Sequence, residues 1–226
     1  CIRDRNRNMK ELSILISTNR PYELFAKRVI DSLFEQDMTN NEIVICHTPD
    51  IVIEDDRVVL IEDKICINGP QGYNQAAQEC TGEYIVGLTD DEYPPLNINS
   101  IKSSFNNEYF KDKEYKVATL ATGPYPAYTE GPRTLMCRFF VLTRDTLEKL
   151  NYYVFHPSFN LKTPHHADHW LSIFLHLNGC PCVELPLHIR HWESVPSGYK
   201  VDDFAVETGE ILRTLVTNYK IGDTFV

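Results

Sequence analysis

Short apolar runs alternating with helical periodicity constrain this chain more than any other feature. Leu12-Ser-Ile-Leu-Ile-Ser17, residues 42–46, Val58–Glu62 and Tyr84–Leu88 are apolar at most positions. Runs of that length and character suit strands buried on both faces, as in a parallel sheet. After the first run, Phe25, Val29 and Leu33 recur every four residues, with Ala26, Ile30 and Phe34 beside them. That is the core-facing stripe of a helix over about residues 21–35. Asn19 is its expected cap, and Pro21 suits the first turn. Residues 69–72 read as a glycine-bearing turn, and a helix around Ala76 and Ala77 stops near Gly82. The order strand, helix, strand, strand, helix, strand implies an α/β fold with a mostly parallel central sheet flanked by helices.

The rest of the chain is less regular. Strands are expected over 117–122 and 136–143, a loop over 123–133, and a short helix over 144–150. Residues 152–163 read as loop. A helix over about 164–178 starts with Thr163 as cap and Pro164 in its first turn, and ends before Gly179 at C′. Short strands follow over 182–185 and 187–189, then a mobile segment over 193–203 and a closing helix over 207–219. No repeat, low-complexity tract or linker divides the chain. We therefore expect a single domain over 9–226, with residues 1–8 (CIRDRNRN) as a disordered, non-native-looking extension. About 9–95 forms its first half and 96–226 its second.

Composition excludes several classes. The 226 residues carry 22 Lys+Arg against 32 Asp+Glu, a formal charge of −10. With no basic cluster, nucleic acid is not an expected partner. No apolar run approaches the roughly 20 residues of a membrane span, and the run from Leu12 is too short for a signal-peptide core. The seven cysteines are scattered, and the close pair Cys180-Pro-Cys182 has no second pair, so reduced structural thiols and a cytoplasmic setting are expected. A peripheral association with a membrane would leave the same composition.

Three places carry candidate chemistry. Asp90-Asp91-Glu92 follows a buried strand, at the sheet edge where open α/β sheets bind ligands. Neighbouring carboxylates repel, and a cation relieves the repulsion; all-oxygen ligands suit Mg²⁺ or Mn²⁺. A solvated acidic turn explains the same residues without a ligand. His165-His166-Ala167-Asp168-His169-Trp170 opens the helix over 164–178. Trp170, Ile173, Phe174 and Leu177 form its expected core stripe, with Asp168 nearly opposite. Asp168 there reads either as a general base or as a carboxylate favoured near a helix N-terminus. His165 and His169, one turn apart, alternatively form a metal pair. In His188-Ile-Arg-His191-Trp192, His191 suits a metal or a phosphate, and Arg190 and Lys200 suit a diphosphate. Residues 69–72 lack both the P-loop and the dinucleotide fingerprint.

Taken in order, these residues resemble a family 2 glycosyltransferase with the GT-A fold. Leu12-Ser-Ile-Leu-Ile-Ser-Thr-Asn-Arg-Pro21 resembles the family's first strand and turn. Residues 42–46 resemble its second strand. Gly82-Glu-Tyr-Ile-Val-Gly-Leu-Thr-Asp-Asp91 resembles the approach to its DXD motif, and Ala167-Asp168 its Glu-Asp motif. The likeness covers about residues 11–192. It implies a nucleotide-diphosphate sugar donor, most commonly a UDP-sugar, and a glycan, lipid-linked or other hydroxyl acceptor. It also implies Mn²⁺ or Mg²⁺ as cofactor, and inversion by direct displacement. Asp91 would be the metal ligand, with His191 near the metal and diphosphate. Asp90 would lie near the sugar or ribose, and Asp168 would be the base. Thr18 and Asn19 would border the nucleoside pocket, with Asn74 near it.

The chain departs from the pattern in places. His47-Thr48-Pro49-Asp50 stands where relatives often carry a base-reading acid, so Asp50 or Asp63 is the candidate substitute. Tyr73 replaces the usual Arg, Thr89 the first acid of the commonest motif, and Ala167 the usual Glu. Two other readings stand beside this one: a non-catalytic GT-A domain that binds a nucleotide or glycan, and a metal hydrolase built on His165, Asp168 and His169.

Overall fold

A computed structural model of the chain describes residues 9–47, 51–62, 69–105, 108–122, 137, 139–159, 166–191 and 201–225, except for the side chains of 122, 191 and 201–205. Its strands are β1 (Leu12–Thr18), β2 (Asn41–His47), β3 (Val58–Glu62), β4 (Tyr84–Leu88), β5 (Glu92–Tyr93), β6 (Val117–Thr122), β7 (Phe140–Thr143) and β8 (Val183–His191). They form one sheet in the order β3-β2-β1-β4-β7-β6-β8-β5. The first four strands pair in parallel, β1 lying between β2 and β4. Antiparallel β7 then joins β4 to β6. β8 runs parallel to β6 and carries β5 antiparallel at the far edge. The sheet is thus a parallel half extended by a mixed half.

Alternation along the strands sorts side chains into two cores. On one face Ile14, Ile16, Ile43, Ile45, Val86 and Leu88 pack against Ala26, Val29, Ile30 and Leu33 of α1 (Ala26–Phe34). On the other, Leu15, Val44 and Ile85 meet Ala76 and Ala77 of α2 (Gly69–Glu79) and Trp170, Leu171 and Phe174 of a later helix, Ala167–Leu177. A strand buried on both sides needs apolar residues at consecutive positions, which is why its sequence shows no polar alternation.

Several boundaries differ from expectation for identifiable reasons. The first helix is split. A 3-10 turn covers Tyr22–Leu24, and Phe25, at φ −125° and ψ −88°, separates it from α1. Asn19 is exposed and does not cap; Pro21 holds the cap position without a side-chain bond. Residues 69–72 are helical rather than a turn. Gly72 lets α2 lie close on β1, since a β-carbon there would run into Ser17. Of the expected strand over 136–143, β7 covers Phe140–Thr143, and residues 136 and 138 lie outside the described residues. The two expected short strands near residue 186 are one strand, β8. Pro186 offers no amide hydrogen, and the register against β6 shifts there, from Leu120↔Leu185 to Ala121↔His188. Residues 123–133 and 193–200, expected as loops, lie outside the described residues.

Three further helices complete the chain: α3 (Ser100–Phe105), α4 (Arg144–Lys149), and after α5 (Ala167–Leu177), α6 (Val201–Asn218). The closing helix thus begins six residues before the expected 207. α5 ends as expected. Gly179 has φ +69°, its amide donates to His176, and that of Cys180 donates to Leu175, which is the Schellman arrangement. No described helix is long and apolar enough to cross a membrane.

The two halves of the chain are joined through Asn74. Its side-chain amide donates to the Phe155 carbonyl at 2.9 Å and accepts from the backbone amides of Val154 (2.9 Å) and Phe155 (3.0 Å). The next residue, His156, meets the ring of Trp170 on α5 edge-on. Asn74 is 2 % exposed, so its loss leaves buried backbone groups without partners. Asn74→Ala should lower unfolding free energy by about 1–3 kcal/mol. Chemical denaturation measures this, and an unchanged midpoint would refute the structural role.

Candidate active site

The site begins with strand pairing. β1 and β4 run parallel with Ile16 opposite Leu88. Two residues further along each strand stand Thr18 and Asp90. Register therefore brings them together at the C-terminal edge, and the Thr18 hydroxyl donates to Asp90 Oδ2 at 2.5 Å. The same hydroxyl accepts the backbone amide of Arg20 at 3.2 Å. The Arg20 side chain turns back onto the carboxylates. Its Nε donates to Asp90 Oδ2 at 2.9 Å, its Nη2 to Asp90 Oδ1, and the same Nη2 lies 2.9 Å from Asp91 Oδ2. One guanidinium thus contacts two neighbouring acids, forking onto Asp90 in the geometry in which arginine binds carboxylates best. Its Cζ lies 4.1 Å from the centre of the Phe25 ring. Arg20 is the site residue that motif reading misses. The signal for it is electrostatic: an arginine two residues past a strand whose neighbour ends in three acids.

Other residues hold this edge in place. Tyr73, where the family pattern carries arginine, donates its hydroxyl to the Leu88 carbonyl at 2.6 Å. It fixes the end of β4 immediately before Thr89-Asp90. Its ring packs edge-on against Phe140 and Phe155. Asn74, expected near a nucleoside, has its amide committed to the backbone at 154–155, as described above. Asn19 is exposed beside Thr18. Asp50 and Asp63 lie outside the described residues.

The acidic run continues into β5, where Glu92 pairs with His191 of β8 and Tyr93 with Arg190. The backbone of His191 is thereby placed one strand from the run; its side chain is outside the described residues. Arg190 is exposed, with its guanidinium 5.5 Å from the centre of the Tyr93 ring. Lys200 is outside the described residues.

The cluster fits a cation. Both aspartates are largely buried, their side chains 6 % and 15 % exposed, and a positive group already lies between them. The Thr89 hydroxyl is buried with no hydrogen-bond partner among the described residues, an arrangement that a bound polar group would relieve. Among those residues no three His, Cys, Asp or Glu side chains group to hold a metal ion. A ligand set would draw on Asp91 and the substrate's own oxygens, with His191 as the candidate protein addition.

Asp168 stands in the first turn of α5. The expected caps, Thr163 and Pro164, lie outside the described residues, as does His165. His166 precedes the helix in the left-handed region, φ +66°, without a side-chain cap. The buried face of α5 differs from expectation: Ala167, Trp170, Leu171, Phe174 and Leu175 are buried, while Ile173 and Leu177 are only half-buried. At about 100° per residue, this rotation places Asp168 at the margin of the buried face rather than opposite it. Its carboxylate is 17 % exposed. Oδ1 accepts the His169 backbone amide at 2.9 Å and lies 3.3 Å from His169 Nδ1. That contact pushes the His169 pKa up from its ordinary 6.5.

No protein-family model matches the sequence, and no curated protein matches it. Solved structures do match in shape. TarS of S. aureus (residues 1–349, in complex with UDP-GlcNAc) superposes with a TM-score of 0.63 at 13 % identity, over 93 % of this chain and 67 % of that one. The mannosyltransferase PcManGT of Pyrobaculum calidifontis, in complex with GDP-Man and Mn²⁺, gives 0.63 at 15 % identity, over 96 % and 67 %. GalNAc-T7 with UDP, GalNAc and Mn²⁺ gives 0.65 at 11 % identity, over 93 % of this chain but 48 % of that one. The chain thus spans about two thirds of the first two and about half of the third. The likeness shows that this chain has the GT-A fold of nucleotide-sugar glycosyltransferases.

Proposed function

We propose that the protein is a metal-dependent, inverting glycosyltransferase that moves a sugar from a nucleotide-diphosphate sugar to an acceptor hydroxyl. The observation that carries this reading is the pairing of Asp90 and Asp91 with a cationic group at the C-terminal edge of β1 and β4, on a GT-A fold. A UDP-sugar is the first donor to test, since two of the three similar structures were solved with UDP or UDP-GlcNAc, and GDP-mannose is the next.

In this mechanism Asp91 and His191 would hold a Mn²⁺ or Mg²⁺ ion, which would supply positive charge against the leaving diphosphate. Thr18 and Asn19 border the nucleoside, and Asp90 faces the sugar or ribose. Tyr73 keeps the end of β4 from moving as the donor enters. Asp168 accepts the proton of the acceptor hydroxyl as that oxygen bonds to the anomeric carbon. The bond from that carbon to the diphosphate oxygen breaks on the opposite side, so configuration inverts. A carboxylate in this role contributes roughly 10²–10⁴-fold.

Thermal unfolding with UDP, GDP and other nucleoside diphosphates, each with and without Mn²⁺, tests donor binding first. A melting rise that requires both one nucleotide and the metal is expected, because a ligand of the folded state stabilises it by mass action. No rise with any nucleotide would overturn the reading. Asp91→Asn should abolish the metal-dependent part of that rise; calorimetry showing unchanged Mn²⁺-dependent affinity would refute its role. Asp168→Asn should leave donor affinity within a factor of two or so while slowing transfer by roughly 10²–10⁴-fold, and undiminished transfer would exclude Asp168 as base.

The His169 contact adds a pH dependence. When protonated, His169 pairs with Asp168 Oδ1 and occupies the oxygen that would take the acceptor's proton, and the contact raises the pKa at which the imidazolium gives up its own. Transfer should therefore fall on the acid side through a limb lying above 6.5. His169→Asn should remove that limb from the kcat/KM profile; an unaltered profile would show that His169 does not couple to the base.

A further inference from the structure

We propose that Arg20 is a built-in counter-cation, released from the acidic pair when a divalent ion and a nucleoside diphosphate bind together. This rests on the donor site proposed above. A single nitrogen, Nη2, contacts both Asp90 and Asp91, while Nε completes a fork on Asp90. A divalent ion ligated by Asp91 would lie beside this nitrogen and draw on the same carboxylate charge, so the two cations repel and compete for the acidic pair.

Arg20 is placed for such an exchange. Its backbone is tethered, since its amide donates to the Thr18 hydroxyl, which in turn donates to Asp90. Its side chain is 23 % exposed and rests on the Phe25 ring rather than in an apolar slot. The head group can leave the carboxylates while its root stays at the end of β1. A guanidinium released beside this edge needs an anion, and a diphosphate offers the oxygens that it binds in a fork. The ion opens the carboxylates only by displacing Arg20, and the diphosphate receives Arg20 once displaced. Each ligand thereby strengthens the other, a coupling that must be reciprocal. Without a donor, the acids remain paired with the chain's own side chain, and a free metal ion is held off.

Mn²⁺ titration of the metal-stripped full chain, followed by the electron paramagnetic resonance signal of free Mn²⁺, tests this without any turnover. It is run alone, with UDP and with GDP, on the wild type, Arg20→Met, Arg20→Gln and Asp91→Asn. The glutamine variant keeps a polar side chain should the methionine variant fail to fold. Arg20→Met or Arg20→Gln should bind Mn²⁺ alone about tenfold more tightly than wild type. The additional tightening given by a nucleotide should shrink by a similar factor. Mn²⁺ affinity that is unchanged or weaker in these variants overturns the exchange. If wild type then still shows nucleotide-dependent Mn²⁺ binding that Asp91→Asn abolishes, the donor site stands and only the role of Arg20 falls. If neither wild type nor the Arg20 variants bind Mn²⁺ under any condition, both readings fall.

Discussion

The parallel pairing of β1 with β4 is the constraint on which the site depends. Ile16 opposite Leu88 sets the register, and two residues of chain beyond each place a threonine hydroxyl against an aspartate. A slip of one residue would turn Asp90 to the other face. The register is protected by burial on both sides. Ile14 and Ile16 face α1, Leu15 faces α2, and each would lose its layer if the strand moved. Hydrophobic packing therefore fixes the position of a polar pair that contributes little to the core itself.

The second half of the sheet completes that edge from outside. β7 and β6 carry β8 across to β5, and the short β5–β8 pairing returns His191 to the strand next to Glu92. Tyr73 and Asn74, adjacent on α2, work in opposite directions. One bonds the end of β4, and the other holds the backbone at 154–155, whose next residue packs on α5. The helix that carries Asp168 is thus linked through two neighbouring side chains to the strand that carries Asp90. At the opposite, N-terminal edge a buried acid is satisfied in a similarly closed manner. Glu42 accepts from Ser13 at 2.6 Å and from the amide and hydroxyl of Thr81, so it is committed to the fold.

Much of the architecture was legible from residue pattern. The apolar runs at 12–17, 42–46 and 84–88 correspond to β1, β2 and β4, strands buried on both faces, and the run at 58–62 to the half-buried edge strand β3. Gly179 ended its helix because only a residue tolerant of positive φ closes a Schellman turn cheaply. Errors arose where tertiary contact overrode local preference. Phe25 interrupts a good helical period, and its ring lies under the Arg20 guanidinium. Pro186 is accommodated by a register shift rather than by ending its strand. Gly72 serves helix–strand contact with Ser17 rather than a turn.

The sequence by itself determined that apolar strands and amphipathic helices alternate, that three consecutive acids end a buried strand, and that an aspartate opens a later helix. These follow from period, run length and residue type, which are local properties. Only the tertiary structure decided that Arg20 occupies the acids and that Tyr73 and Asn74 act as pins. It also decided that Asp168 lies at the margin of the buried face of α5, and that β8 returns beside β5. Each of those depends on register between segments far apart in the chain and on which face a neighbouring element covers. Neither quantity is carried by any single segment, because both arise from the packing of several.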